Sequence, residues 1–233
     1  MALPSVSMPE FRTVIPSTGE TITYRPFLVK EEKILLMALS GGDSNEMALA
    51  IRKILKSCIL DEINIDSLAT FDIEYLFLQL RGKSVGEVIE VRAKHYQNTD
   101  CPGTAELSIP IDQIQLTNMD LESQKIMLND TIGIKVRYPT MDDLTGLKLD
   151  DADSIMSMIV NCVEYAFDET EVYSEFTHDE MKDFLENFKS EEYAKVIEFF
   201  DKLPQLRYEA EWECPVCKEK EKIVLEGLTS FFT

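Results

Sequence analysis

The residues best equipped for chemistry are Cys214 and Cys217, two positions apart in the stretch ECPVCKE. Such a pair offers two thiolates to one borderline-soft cation, and a structural zinc closes its tetrahedral shell with four ligands, usually two pairs. The second pair is incomplete here. Upstream, HYQNTDCPG supplies Cys101 and, before it, His95. If these two stretches meet, His95, Cys101, Cys214 and Cys217 make a Cys3His set for zinc; if they do not, CPVC is a reduced, metal-free turn. A redox role fits less well, because a redox pair ordinarily opens a helix in a βαβ setting and both flanks of CPVC read as strand.

Other constellations fall away. Gly82-Lys83-Ser84 lacks the glycine that a phosphate-binding loop needs five residues earlier, where Phe77 stands, and it ends a helical pattern. Asp142, Asp143, Asp150, Asp151 and Asp153 lack the glycine-centred spacing of a calcium loop and read as charge at a helix start. The two histidines, His95 and His178, have no nucleophile beside them in sequence. The expectation is a protein that is not an enzyme and takes no small-molecule substrate.

The elements that position the cysteines are strands. Ile89, Val91 and Ala93 alternate with charged residues, and so do Ala105, Leu107, Ile109 and Ile111 beyond Cys101-Pro102-Gly103. Leu206, Tyr208, Ala210 and Trp212 lead into Cys214, and Ile223 and Leu225 return. Each cysteine tip therefore crowns a β-hairpin. Ahead of the first hairpin, TVIPSTGETITYRP reads as paired strands, followed by three helices: residues 30–39 up to Gly41-Gly42, then Met47 to Cys58, then Leu68 to Leu78. Ahead of the second, Ile132, Ile134 and Val136 form a strand. One helix then carries Ile155 through Cys162 to Ala166, a second is capped by Thr177 and Glu180, and a third is capped by Ser190.

The two halves share this order. ITYRPFLVKEE from Ile22 matches IKVRYPTMDDL from Ile134 in its isoleucine, arginine, nearby proline and acidic pair, and Cys58 and Cys162 hold matching places in helices. The fold expected is α+β, in two similar units, 1–116 and 117–233. Each unit is a strand followed by about three helices and a β-hairpin with a cysteine-bearing tip.

Composition narrows the partners. With 23 basic and 43 acidic residues the net charge is −20, which repels phosphate backbones, so neither nucleic acid nor an anionic membrane is expected as a partner. No run approaches the length of a membrane span, and the N-terminus has no basic and apolar leader pattern. Five cysteines, two of them in apolar helix segments, suit a reducing, cytoplasm-like compartment.

The strings YRPFLVKEEKILLMAL (24–39), FDIEYLFLQLRGKSVGE (71–87) and ECPVCKEKEKIVLEGLTSFF (213–232) resemble the baseplate hub subunit family of T-even-like contractile-tailed bacteriophages, over most of the chain. The resemblance implies a non-enzymatic structural component or assembly factor of the central hub. It further implies assembly in the host cytoplasm, residence in the virion tail baseplate, and other hub proteins as partners. The family pattern has a CxxC pair in the first hairpin too, where this chain keeps only Cys101. Two alternatives stay open: a hub-assembly chaperone absent from the mature virion, and a zinc-ribbon adaptor. Phe27, Leu28, Leu228, Phe231 and Phe232 are the apolar candidates for partner binding; the other reading is core for Phe27 and Leu28 and packing against their own hairpin for Leu228, Phe231 and Phe232.

Overall fold

A computed structural model of the protein describes residues 7–42, 44–95, 100–119, 124–145 and 151–231. These residues form seven α-helices and several small antiparallel sheets, a mixed α+β architecture. They group into two compact units. Unit 1 draws on Met1–Ile65, Phe71–Thr117 and Pro204–Thr233, and unit 2 on Asp66–Thr70 and Asn118–Leu203. This grouping differs from the halves 1–116 and 117–233, because the CPVC hairpin pairs with strand residues 115–116 and packs on the first hairpin, which brings Pro204–Thr233 into unit 1.

Unit 1 opens with β1 (Phe11–Val14) against β2 (Thr21–Tyr24), joined through Gly19, whose φ of +73° suits a residue without Cβ. Helix α1 (Val29–Gly41) starts where the Glu31 carboxylate accepts the Leu28 N–H and stops at Gly42 in the left-handed region. Helix α2 (Ser44–Cys58) buries Ile51, Ile54, Leu55 and Cys58, the stripe that its spacing predicts. Helix α3 (Thr70–Ser84) buries Phe71, Ile73, Leu76, Phe77, Leu78 and Leu80, too many for one face, so it runs through the core of unit 1. Its buried Asp72 accepts the N–H and hydroxyl of Ser17 at 2.9 and 2.6 Å. Gly82-Lys83-Ser84 ends this helix as expected. Strands β3 (Val88–Lys94) and β4 (Thr104–Pro110) form the first hairpin, with Ile89 opposite Ile109 and Ala93 opposite Ala105, and β5 (Gln115–Leu116) follows.

Unit 2 holds β6 (Lys125–Met127), β7 (Gly133–Val136), the short α4 (Met141–Leu144), α5 (Ala152–Cys162), β8 (Val163–Phe167), β9 (Val172–Tyr173), α6 (His178–Glu186) and α7 (Ser190–Asp201). Its sheet runs β6-β7-β8-β9, and the helices cover a core of Leu128, Ile134, Val136, Ile159, Leu185 and Val196. Thr177 and Glu180 cap α6 reciprocally, as expected. Two expectations need correction. Ala166 lies in a strand, because the helix ends at Cys162 and Val163 is already extended, which lets Ala166 pair with Ile134 of β7. The cap of α7 is Lys189, whose N–H donates to Glu192, and Ser190 is the first helical residue. Asp150 of the acidic cluster lies outside the described residues, while Asp151 caps α5 by accepting the Ser154 N–H.

The chain returns to unit 1 with β10 (Leu206–Glu213), which pairs with β5 through Leu206 and Leu116 and with β11 (Lys220–Glu226) along its length. Leu228 and Phe231 then bury themselves in a short helical turn.

One arrangement occurs in both units. In unit 1 the Arg25 N–H donates to the Cys58 carbonyl at 2.9 Å, and its guanidinium reaches the carbonyls of Pro26 and Ser57 and the Glu31 carboxylate. In unit 2 the Arg137 N–H donates to the Cys162 carbonyl at 2.8 Å, and its guanidinium reaches the carbonyls of Tyr138 and Asn161 and the Asp143 carboxylate. Each latch ties the strand before a helix start to the last turn of a later helix. Cys58 and Cys162 are fully buried, and that burial pushes their thiols up to about 11 and about 12, so both behave as small apolar side chains.

Candidate metal centre

The β-ladders of unit 1 decide which side chains converge. Counting along β10 and β11 from the CPVC turn places Trp212 opposite Glu221. Trp212 packs with Ala93, Cys214, Ala105, Leu107 and Ile223, a small apolar cluster drawn from both hairpins, and its ring stands 5.1 Å from that of His95. The first hairpin thereby delivers His95, just beyond β3, and Cys101, just before β4, to the tip that carries Cys214 and Cys217.

The convergence is close. The Cys101 and Cys214 sulfurs lie 3.8 Å apart, Cys217 Sγ lies 3.2 Å from His95 Nε2, and the four donor atoms all fall within 4.8 Å of one another. Zinc–sulfur bonds of about 2.3 Å at tetrahedral angles put two sulfurs about 3.8 Å apart, so the spacing suits a tetrahedral ion. His95 Nδ1 stands 2.6 Å from Glu221 Oε1, which leaves Nε2 as the nitrogen turned to the sulfurs. The four residues named from the sequence are therefore together. Tyr96 to Thr99, between two of them, lie outside the described residues.

The turn itself is tightly held. Cys214 N–H donates to the Glu219 carbonyl and Lys218 N–H to the Cys214 carbonyl, a tight loop in which Lys218 takes φ +63°. Burial raises the Cys214 thiol, but the backbone N–H groups of Cys217 and Val216 pointing at its sulfur outweigh that and bring it down to about 6. The Glu221 carboxylate and the neighbouring thiol raise His95 to about 9 against a smaller opposing effect of burial. Of these two, only Cys214 is poised to give up its proton; the shift on His95 favours its protonated form, whose proton a cation would have to displace.

Two contributors escaped the sequence reading. A Cβ on Gly103 would run into Cys214 Sγ and come within 3.3 Å of Cys101 Sγ, so glycine is what lets the two tips close. Its signal was present in CPG, a glycine directly after the first tip's Cys-Pro. Glu221 had no signal of its own; only the strand register aims it at His95.

The apolar candidates fare differently. Phe27, Leu228 and Phe231 are buried within unit 1, so they serve its core and are not exposed for docking. Their hydrophobicity reads the same in a core as on an interface. Leu28 is half-buried, and Phe232 lies outside the described residues. His178 sits on the first turn of α6, 3.6 Å from Asp179.

Comparison with known proteins gives one finding. A family model described as T4 bacteriophage base plate protein matches residues 8–233, nearly the whole chain. No curated protein and no solved structure matches.

Proposed function

The chain belongs to the family of T4 bacteriophage base plate proteins, and from that premise we propose that it is a non-enzymatic structural component of the central baseplate hub. The match over residues 8–233 carries this reading, because it takes in both compact units. Its partners are other hub proteins, which it meets in the host cytoplasm before the tail is complete. The surface for them lies on α1. Val29 and Leu36 stand seven residues apart on one side of that helix, and Met37 beside them is 74% exposed. Apolar side chains grouped in this way mark contact surfaces more often than single exposed ones do.

A second reading draws on the net charge of −20: a chaperone that keeps hub parts apart and leaves once the hub is built. Quantitative mass spectrometry of purified virions separates the two. A fixed copy number per particle supports the structural component. Absence from particles, with hub assembly failing when the gene is deleted, replaces it with the departing factor. The double variant Leu36→Asp, Met37→Asp is expected to fold as the wild type by circular dichroism and to be missing from baseplates. Normal incorporation would remove α1 from the interface.

A further inference from the structure

We propose that His95, Cys101, Cys214 and Cys217 bind one zinc ion in a closed tetrahedral shell that fastens the β3–β4 hairpin to the β10–β11 hairpin, with Glu221 as the positioning residue for His95. The proposal concerns unit 1 alone and stands whether or not the protein remains in the virion.

Each hairpin supplies two donors, and the sulfurs of Cys101 and Cys214 come together from positions 113 residues apart. Three thiolates and one imidazole form a set that selects zinc over harder cations such as magnesium or calcium, which prefer oxygen. With all four positions taken by protein, no place is left for an activated water, so the ion supports structure and performs no hydrolysis.

Three further features favour a built site over a chance meeting of thiols. The Nδ1 of a zinc-bound histidine commonly donates to a carboxylate, and Glu221 stands there at 2.6 Å, its side chain 14% exposed. Gly103 gives up a side chain at the point where the two tips would otherwise collide. Cys214 N–H donates to the Glu219 carbonyl at 2.9 Å and Lys218 N–H to the Cys214 carbonyl at 3.0 Å, which fixes the turn that carries both cysteines of the second tip. The second tip lacks the glycine that eases a left-handed turn after its second cysteine, and Lys218 accepts φ +63° instead. That strain is tolerated where the surroundings hold the turn fixed.

The test uses the full chain, purified reduced, with zinc content read by elemental analysis and Co2+ as a spectroscopic probe. One zinc per chain is expected, and Co2+ added to metal-stripped protein should give thiolate charge-transfer bands and the strong visible bands of a tetrahedral ion. Cys101→Ser and Cys217→Ser should each weaken the bands and lower zinc retention. A protein without zinc that also fails to develop these bands overturns the site, and this arm needs no variant to fold. Bands unchanged in Cys101→Ser overturn the joining of the two hairpins. For Glu221, the Gln variant is expected to keep the thiolate bands while losing roughly 10- to 100-fold in zinc affinity, with part of the loss restored by Asp. Equal affinity in wild type and Gln variant would remove its positioning role.

Discussion

The Arg25 latch of unit 1 and the Arg137 latch of unit 2 use the same bonds in the same order, yet their carboxylates differ. Asp143 takes the Arg137 guanidinium through both oxygens, at 2.6 and 2.8 Å, and also accepts the N–H and hydroxyl of Thr140. Glu31 takes Arg25 through one oxygen at 3.0 Å, shares that oxygen with Lys30 at 3.4 Å, and caps Leu28 with the other. The shorter carboxylate thus makes a fork-to-fork pair, and the longer one spreads itself over two cations and a helix start. One pattern of arginine and acid builds the same joint with two geometries. Because the acid also begins the helix, each latch couples helix initiation to strand placement.

The largest expected effect comes from removing the arginines. Arg137→Met should cost about 3 kcal/mol, since it strips two charge-assisted bonds from a nearly buried carboxylate. Arg25→Met should cost about 2 kcal/mol, because Lys30 stays beside Glu31. Urea unfolding followed by circular dichroism measures both, and the reverse order of losses would break the comparison.

Acid sharpens it. Burial raises both carboxyls, but the bonds from Arg137 and Thr140 hold Asp143 below its ordinary 3.8, and those from Leu28 and Arg25 hold Glu31 below 4.5. A carboxylate whose folded value is depressed contributes stability above its unfolded value and loses it as pH falls through the folded one. Stability should therefore hold above about pH 5 and decline as the pH drops below 4.5, with the Asp143 share fading below 3.8. The fall between pH 5 and pH 3 should be smaller in Arg137→Met, and an unchanged fall would mean that Asp143 is not the group being titrated.

The smallest effect tests the length of the acid. Asp143→Glu should lose about 1 kcal/mol by spoiling the two-oxygen geometry, and Glu31→Asp a similar amount by retracting from Arg25 and Lys30. A gain in either variant would show that side-chain length does not set the strength.

The chemistry of these joints was readable before the folding was. The arginine, the acidic pair and the buried cysteine were all visible in ITYRPFLVKEE, IKVRYPTMDDL and the two helices. The bond from each arginine N–H to a cysteine carbonyl was not, because backbone partners leave no mark on side-chain type. The latch recurs in both units, whose boundaries are not those of the two halves 1–116 and 117–233. Strand β8 escaped notice because Val163 to Phe167 continues the apolar run of α5, and a short run of that kind fits either period. β5 and β9, with two residues each, are too short for any period to register. At the metal centre the ligand types announced themselves, while Gly103 and Glu221 act through space and register.

Unit 1 is interrupted twice: briefly by Asp66–Thr70, and then the chain leaves it after Thr117 and comes back at Pro204. On the ribosome this sets a timetable. The segment 118–203 emerges and can bury its own core while the first hairpin still waits for its partner. Cys214 leaves the exit tunnel 113 residues after Cys101, so the four donors can gather only once the segment 118–203 has passed. A chain truncated before Cys214 would carry a finished second unit beside an open first one, with the Ala93 side of its first hairpin bare to water.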